Sequence, residues 1–218
     1  TLEYIGGGGA SLGLGAFNNC GFVCELKIPN KVKYIGINAF AGCTGIYGEL
    51  HLPDNLEYLG TNAFYECKNL TGSLTIPQSL TEIGEAAFTN CGFNGNLNLH
   101  DGITAIGRGA FQGTALKGEL VLPKDLVIIA NDAFNGCDFS GVLKLPEGVS
   151  VIGDNAFAGN WRLMGVLEIP EGVQSIGAGA FANCRSIEGV IFPESLETIR
   201  YQAEWGDVGG AFSNCYGI

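Results

Sequence analysis

The dipeptide Ala-Phe recurs along this chain, with its phenylalanine at Phe17, Phe40, Phe64, Phe88, Phe111, Phe134, Phe157, Phe181 and Phe212. The intervals are 23, 24, 24, 23, 23, 23, 24 and 31 residues. So constant a period restricts the chain to repeat architectures, in which each unit is one supersecondary element buried against its neighbours. Other columns run in phase. All seven prolines, Pro29, Pro53, Pro77, Pro123, Pro146, Pro170 and Pro193, share one column, and His100 fills its vacant place. An aliphatic residue follows that column at three places (Val32, Leu56, Leu80, Ile103, Leu126, Val149, Val173, Leu196) and again at six (Ile35, Leu59, Ile83, Ile106, Ile129, Ile152, Ile176, Ile199).

The unit reads L-x-G-x-L-x-I-P-x-x-L-x-x-I-G-x-x-A-F-x-x-C. A unit this short has too few apolar groups to close a core, but stacked copies form continuous ladders of Leu, Ile and Phe. The alternating x-L-x-I-P predicts a short strand with Leu and Ile inward. Pro ends it because it cannot donate to the next strand. The Gly after Ile predicts a turn that a side chain would block. The compact N-A-F-x-x-C predicts one helical or 3₁₀ turn. The fold expected is therefore a single β-rich solenoid over residues 1–218, a right-handed curved coil of about nine rungs with a parallel sheet on one face.

These motifs resemble the BspA-like leucine-rich repeat family, whose unit is L-x-x-I-x-I-P-x-x-V-x-x-I-G-x-x-A-F-x-x-C. "LTIPQSLTEIGEAAFTNC" at 74–91 matches it nearly position by position, and the resemblance extends over essentially the whole chain. It implies an α/β-type leucine-rich-repeat solenoid. It also implies a secreted or cell-surface protein, of the kind found mostly in bacteria of animal mucosa, acting in adhesion and partner binding rather than catalysis. The Gly of "LTGSL" and "LKGEL" departs from the pattern and adds a residue or two before the strand.

The formal net charge of −11 disfavours nucleic acid and anionic membrane surfaces, which would be repelled. No apolar run approaches the ~20 residues of a membrane helix. The chain begins without Met and in mid-pattern, as a mature fragment of a longer protein would.

Two segments break the period. Between Ile5 and Phe17 an insertion at 7–13 contains Gly9-Ala10-Ser11-Leu12-Gly13, the G-x-S-x-G of a nucleophile elbow. That elbow needs a histidine and an acid around it, and the only histidines, His51 and His100, fall in other rungs. A serine hydrolase at Ser11 is therefore not expected, and the segment reads as a glycine loop near a solenoid end. The second insertion, at 200–210, carries Tyr201 and Trp205. Terminal repeats are commonly atypical because they cap the core; Tyr201 and Trp205 also make this segment a candidate binding loop.

Seven cysteines (Cys20, Cys43, Cys67, Cys91, Cys137, Cys184, Cys215) stand three places after the column Phe, with Thr114 and Asn160 in the other two repeats. Such a column predicts a buried ladder whose small polar atom meets turn backbone. Cys24 is the exception; if a disulfide forms, Cys24 with Cys20 or Cys43 is the expected pair. No C-x-x-C or Cys/His cluster suggests zinc. The carboxylates Asp54, Asp101, Asp125, Glu147, Glu171 and Glu194 near the prolines lack a calcium-loop pattern. No metal, cofactor or catalytic residue is expected. Asn69-Leu70-Thr71 is a glycosylation sequon, relevant only in a eukaryotic host.

Recognition then falls to what the ladders leave outside. Two and four places before the Pro column the residues differ from rung to rung, running from Glu25 and Lys27 to Val142 and Lys144, Val166 and Glu168, and finally Ile191. The C-terminal part is apolar, and Val142, Val166 and Ile191, expected as one row along the rod, are the candidate contact residues, with Lys144 and Glu168 orienting a partner. A solvated sheet face is the competing reading. The expected function is a non-enzymatic extracellular or cell-surface protein that binds a protein or glycan on host or bacterial surfaces; the alternative is a structural spacer in a larger surface protein.

Overall fold

The computed structural model describes residues 2–6, 15–201 and 210–217 of the 218. They form one parallel-strand β-solenoid of about eight turns, with no helix among the described residues. The Phe column is a continuous stack. From Phe17 to Phe212 each ring lies on the next with centroids 5.1–5.7 Å apart and planes within 14°. The seven rings from Phe40 to Phe181 are fully buried, and Phe17 and Phe212 close the ends of the stack. Additional phenylalanines, Phe22, Phe93, Phe139 and Phe192, meet the stack edge-on, the complementary geometry that aromatic quadrupoles favour.

The strands form two parallel ladders rather than one. The expected ladder, leading to the Pro column, contains the longer strands Ile46–His51, Arg162–Glu168 and Ser186–Ile191. A second ladder is made of two-residue strands at the x-Ile position, from Tyr4–Ile5 through Tyr34–Ile35 to Thr198–Ile199. Its strands pair in three groups, with Ile or Leu in register as Ile5↔Ile35↔Leu59, Ile83↔Ile106 and Ile129↔Ile152↔Ile176↔Ile199. Within the long ladder the Gly of the departed pattern takes a positive φ, for example Gly48 at 87° and Gly165 at 74°. Gly95, in the same place of its rung, does not, nor does Gly189.

The corner at A-F is not a helical or 3₁₀ turn. Two residues per corner sit at positive φ. One lies two places before Phe, as Asn38, Asn62 and Asn155; the other lies two places after it, as Gly42, Asn90 and Asn183. Such residues occupy the third position of type II β-turns, and the backbone bonds agree: Ala39 N–H donates to Gly36 O and Cys43 N–H to Phe40 O. The intervening N–H groups, those of Asn38, Phe40 and Gly42, donate instead to the next rung, at Thr61, Ala63 and Tyr65 O. A helix would consume these donors within its own rung; the alternating corner frees every second one for stacking.

The Gly after Ile is present for a different reason than a turn. Gly84 has no positive φ, but a Cβ there would lie 2.6 Å from both Gly60 C and Leu59 O. Rung-to-rung backbone contact excludes the side chain. Gly84→Ala is expected to destabilise by about 1–3 kcal/mol through overpacking, read as a lowered urea midpoint. An unchanged midpoint would show that the rungs part freely.

Candidate functional site

The cysteine column positions the corners. Cys43, Cys67, Cys91, Cys137, Cys184 and Cys215 each donate Sγ–H to the carbonyl of the preceding rung's Phe, at 2.8–3.3 Å. That carbonyl's second lone pair is used within its own rung, as by Cys43 N–H on Phe40 O. Thr114 turns to Phe111 O of its own rung at 2.8 Å. Asn160, fully buried, donates to both Phe134 O and Phe157 O and accepts from Phe139 N–H. The expectation that a small polar atom meets turn backbone therefore holds; the thiol bonds and the Asn160–Phe134 bond run between rungs, while Thr114 bonds within its own. All eight cysteines are free thiols, Cys24 included.

Burial pushes the thiols up: Cys43 to about 11 and Cys137 and Cys184 to about 12. They are neutral at pH 7, and thiolate chemistry is closed to them. In the unfolded chain a thiol titrates near 9. Above that pH the unfolded state sheds protons that the folded state keeps, so stability is complete below pH 9 and declines as pH rises toward 12. The slope is at most about 1.4 kcal/mol per pH unit for each thiol. Urea midpoints measured from pH 7 to 11 should fall above pH 9, and less steeply in Cys137→Thr, which copies Thr114. Equal slopes would remove the thiol from the explanation.

The outward positions are placed as the alternation predicts. Val142, Val166 and Ile191 are 46%, 44% and 55% exposed, and Lys144 and Glu168 are exposed beside them. All five line one open groove of about 580 Å³, together with Pro170, Glu147 and Glu171. The three apolar residues are not a single row. The register pairs Val166 with Gly189 and Glu168 with Ile191. Ile191 therefore continues the Lys144–Glu168 column, one column across from Val142 and Val166. The cause is its place in the unit: Ile191 stands two places before Pro193, as Lys144 and Glu168 stand before Pro146 and Pro170, whereas Val142 and Val166 stand four places before theirs.

Tyr201 is 71% exposed and lies away from this groove, whose lining does not include it. Trp205 and Ser11 lie outside the described residues, as do 7–13 and most of 200–210. Of the two histidines, His51 is exposed at the end of Ile46–His51. His100 caps its own turn: Nδ1 accepts from Gly102 N–H at 3.1 Å and Nε2 donates to Pro77 O at 3.0 Å. This explains how His replaces Pro in that column. Asn69 of the sequon donates its amide to Thr44 O at 2.6 Å. Among the described residues no group of three His, Cys, Asp or Glu side chains is placed to hold a metal ion, and no helix is long and apolar enough to cross a membrane.

A family model for the BspA type leucine rich repeat region matches in six copies, over residues 10–140 and 118–218. No curated protein matches the chain. Solved structures with related coils include a leucine rich cell surface protein from Faecalibacterium prausnitzii, 19% identical over 93% of this chain and 80% of that one, with a TM-score of 0.38. A leucine-rich repeat protein from Bacteroides ovatus is 21% identical over 84% of this chain and 70% of that one, with a TM-score of 0.41.

Proposed function

Because the chain belongs to the BspA-type leucine-rich repeat family, we propose that it is a non-enzymatic binding protein of the cell exterior that engages a protein partner through the groove at Val142, Lys144, Val166, Glu168 and Ile191. One observation carries this reading. Inward positions repeat from rung to rung, while outward positions differ, and at the C-terminal end they gather three branched apolar side chains into one groove. Exposed apolar side chains clustered in a groove add nothing to the isolated fold, and burying one in an interface gains about 1.5–3 kcal/mol as an upper range. Lys144 and Glu168 at its centre fix orientation more than affinity.

The test is a triple substitution to Thr at Val142, Val166 and Ile191, applied to an array of extracellular-matrix proteins and mucins. Thr keeps the β-branch, so strand propensity is preserved. The midpoint of unfolding should stay nearly constant, while binding of the array protein recognised by the parent weakens at least about tenfold, or 1.4 kcal/mol. Unchanged binding would reduce these side chains to strand formers and move the site to the Tyr201 and Trp205 segment.

The continuous Phe stack favours a second reading, a rigid spacer that holds another domain away from the cell. A spacer tolerates the triple substitution without any loss of surface attachment by the full-length protein.

A further inference from the structure

We propose that the corner at Trp161, Arg162, Arg185 and Tyr216 is a second interaction surface, which takes an acidic, extended segment of a partner protein. The place after the cysteine column holds Gly21, Thr44, Gly92 and Ala115 in four of the earlier rungs, and Lys68 and Asp138 in two. In the last three it holds Trp161, Arg185 and Tyr216. The backbone there makes the same bond with a small side chain as with a large one: Thr44 N–H donates to Gly42 O, and Trp161 N–H to Gly159 O. The turn itself gives no reason to gather three large side chains at one end. The three stand on adjoining rungs. Ser186 Oγ–H donates to Trp161 O at 2.9 Å, and a Cβ on Gly217 would run into Ile187 O.

Two arginines lie over aromatic rings here. The Arg162 guanidinium is 5.4 Å from the Trp161 ring centroid, and that of Arg185 is 5.9 Å from the Tyr216 centroid. Both fall within the ~6 Å over which the ring quadrupole attracts a cation. Stacking orients the guanidinium plane, and its N–H edge can then meet a carboxylate with two parallel bonds. Arg185 takes part in none of the ion pairs among the described residues. Arg162 meets Asp138 at 3.4 Å, with side chains 48% and 30% exposed, the kind of surface pair that contributes little. Trp161 and Tyr216 are 54% and 72% exposed. Trp, Tyr and Arg are the residue types that anchor protein interfaces. None of the four lines the groove at Val142.

The corner suits an acidic polypeptide better than a dense polyanion. The chain carries a net charge of −11, but exposed charges act over only ~10 Å at ~0.1 M salt. A carboxylate placed at Arg185 therefore feels the arginines more than the rest of the surface. Asp138 lies one rung before the corner, and Glu188 lies further along Ser186–Ile191. A chain with a negative charge on every unit meets repulsion as soon as it runs past the arginines. A polypeptide can space its carboxylates and set apolar side chains between them, and those suit the exposed Trp161 and Tyr216 rings.

Random dodecapeptides displayed on phage and selected on the immobilised whole chain test this. The enriched peptides should carry an excess of Asp and Glu. The most enriched one, synthesised with a fluorescent label, should lose at least about tenfold in affinity when its carboxylates are replaced by amides. Arg185→Gln and Trp161→Ala should each weaken its binding about tenfold. Arg185→Lys, which keeps the charge and loses the planar fork, should fall between. Raising the salt from about 50 to about 500 mM should also weaken binding. Thr44 and Ala115 already stand in this column, so the urea midpoint should not move. Should Trp161→Ala not fold, Arg185→Gln and the amide peptide carry the test. The triple Thr variant of the groove should bind the peptide as the parent does, so the two surfaces fail or succeed separately. The proposal is overturned if no acidic peptide is enriched, if the amide copy binds equally well, or if Arg185→Gln binds like the parent. Loss of binding in the triple Thr variant, or displacement of the peptide by an equal concentration of heparin hexasaccharide, would overturn it too.

Discussion

Phe111→Ala should destabilise the protein by about 3–5 kcal/mol and divide its unfolding into two steps. Phe111 is fully buried, with Phe88 and Phe134 stacked on its two faces at 5.7 and 5.6 Å. Its truncation removes two ring–ring contacts and opens a cavity that the rigid backbone corners on either side cannot collapse. In a solenoid each rung touches only its neighbours, so the loss is confined to one interface in the middle of the stack. The two halves then lose the coupling that made them unfold together. Urea unfolding followed by hydrogen exchange should show the flanking rungs separating into two transitions. A single sharp transition, merely shifted, would contradict nearest-neighbour coupling.

Asn160→Ala should cost a comparable amount by a different route. The Asn160 amide serves three backbone groups, Phe134 O, Phe157 O and Phe139 N–H, where a cysteine of the same column serves one. Its removal strands Phe139 N–H and Phe134 O inside the core. Each buried orphan costs about 1–3 kcal/mol, so the pair costs roughly 2–6 kcal/mol. Asn160→Cys puts back the residue type of the other rungs. Its thiol would reach the preceding Phe carbonyl, and should recover about half of that loss while leaving Phe139 N–H unpaired. Thermal and urea unfolding of the two variants decide the matter: if Asn160→Cys destabilises as much as Asn160→Ala, the carbonyl bond is not what the column supplies.

The parts of the fold legible in the sequence were those with one residue type per column. Phe40 through Phe181, the aliphatic columns as far as Val173 and Ile176, and Cys43 through Cys184 are buried where the period places them, and Thr114 and Asn160 announced the polar contact of their column. The second strand ladder was not legible because its strands, such as Tyr34–Ile35, are two residues long and show no alternation. The corner was misread as helical although its signal was present: Asn and Gly recur two places either side of Phe, and those residues tolerate a left-handed backbone. Of the candidate site, exposure was readable from alternation alone. That Ile191 shares the column of Lys144 and Glu168 was readable from its distance to Pro193, whereas the groove itself depends on how rungs lie beside one another.

The corner that sends every second N–H to the next rung also determines how this coil meets tension. Bonds such as Phe40 N–H to Ala63 O join one rung to the next, along the direction in which a pull between first and last rung acts. Force therefore falls on one interface at a time, and the coil yields by peeling. Each rung that peels frees 23 or 24 residues, roughly 80 Å of extended chain, while the remaining Phe stack stays intact. A cell tethered through such a coil would let out line in fixed increments at nearly constant tension, and the coil would rewind when the tension drops.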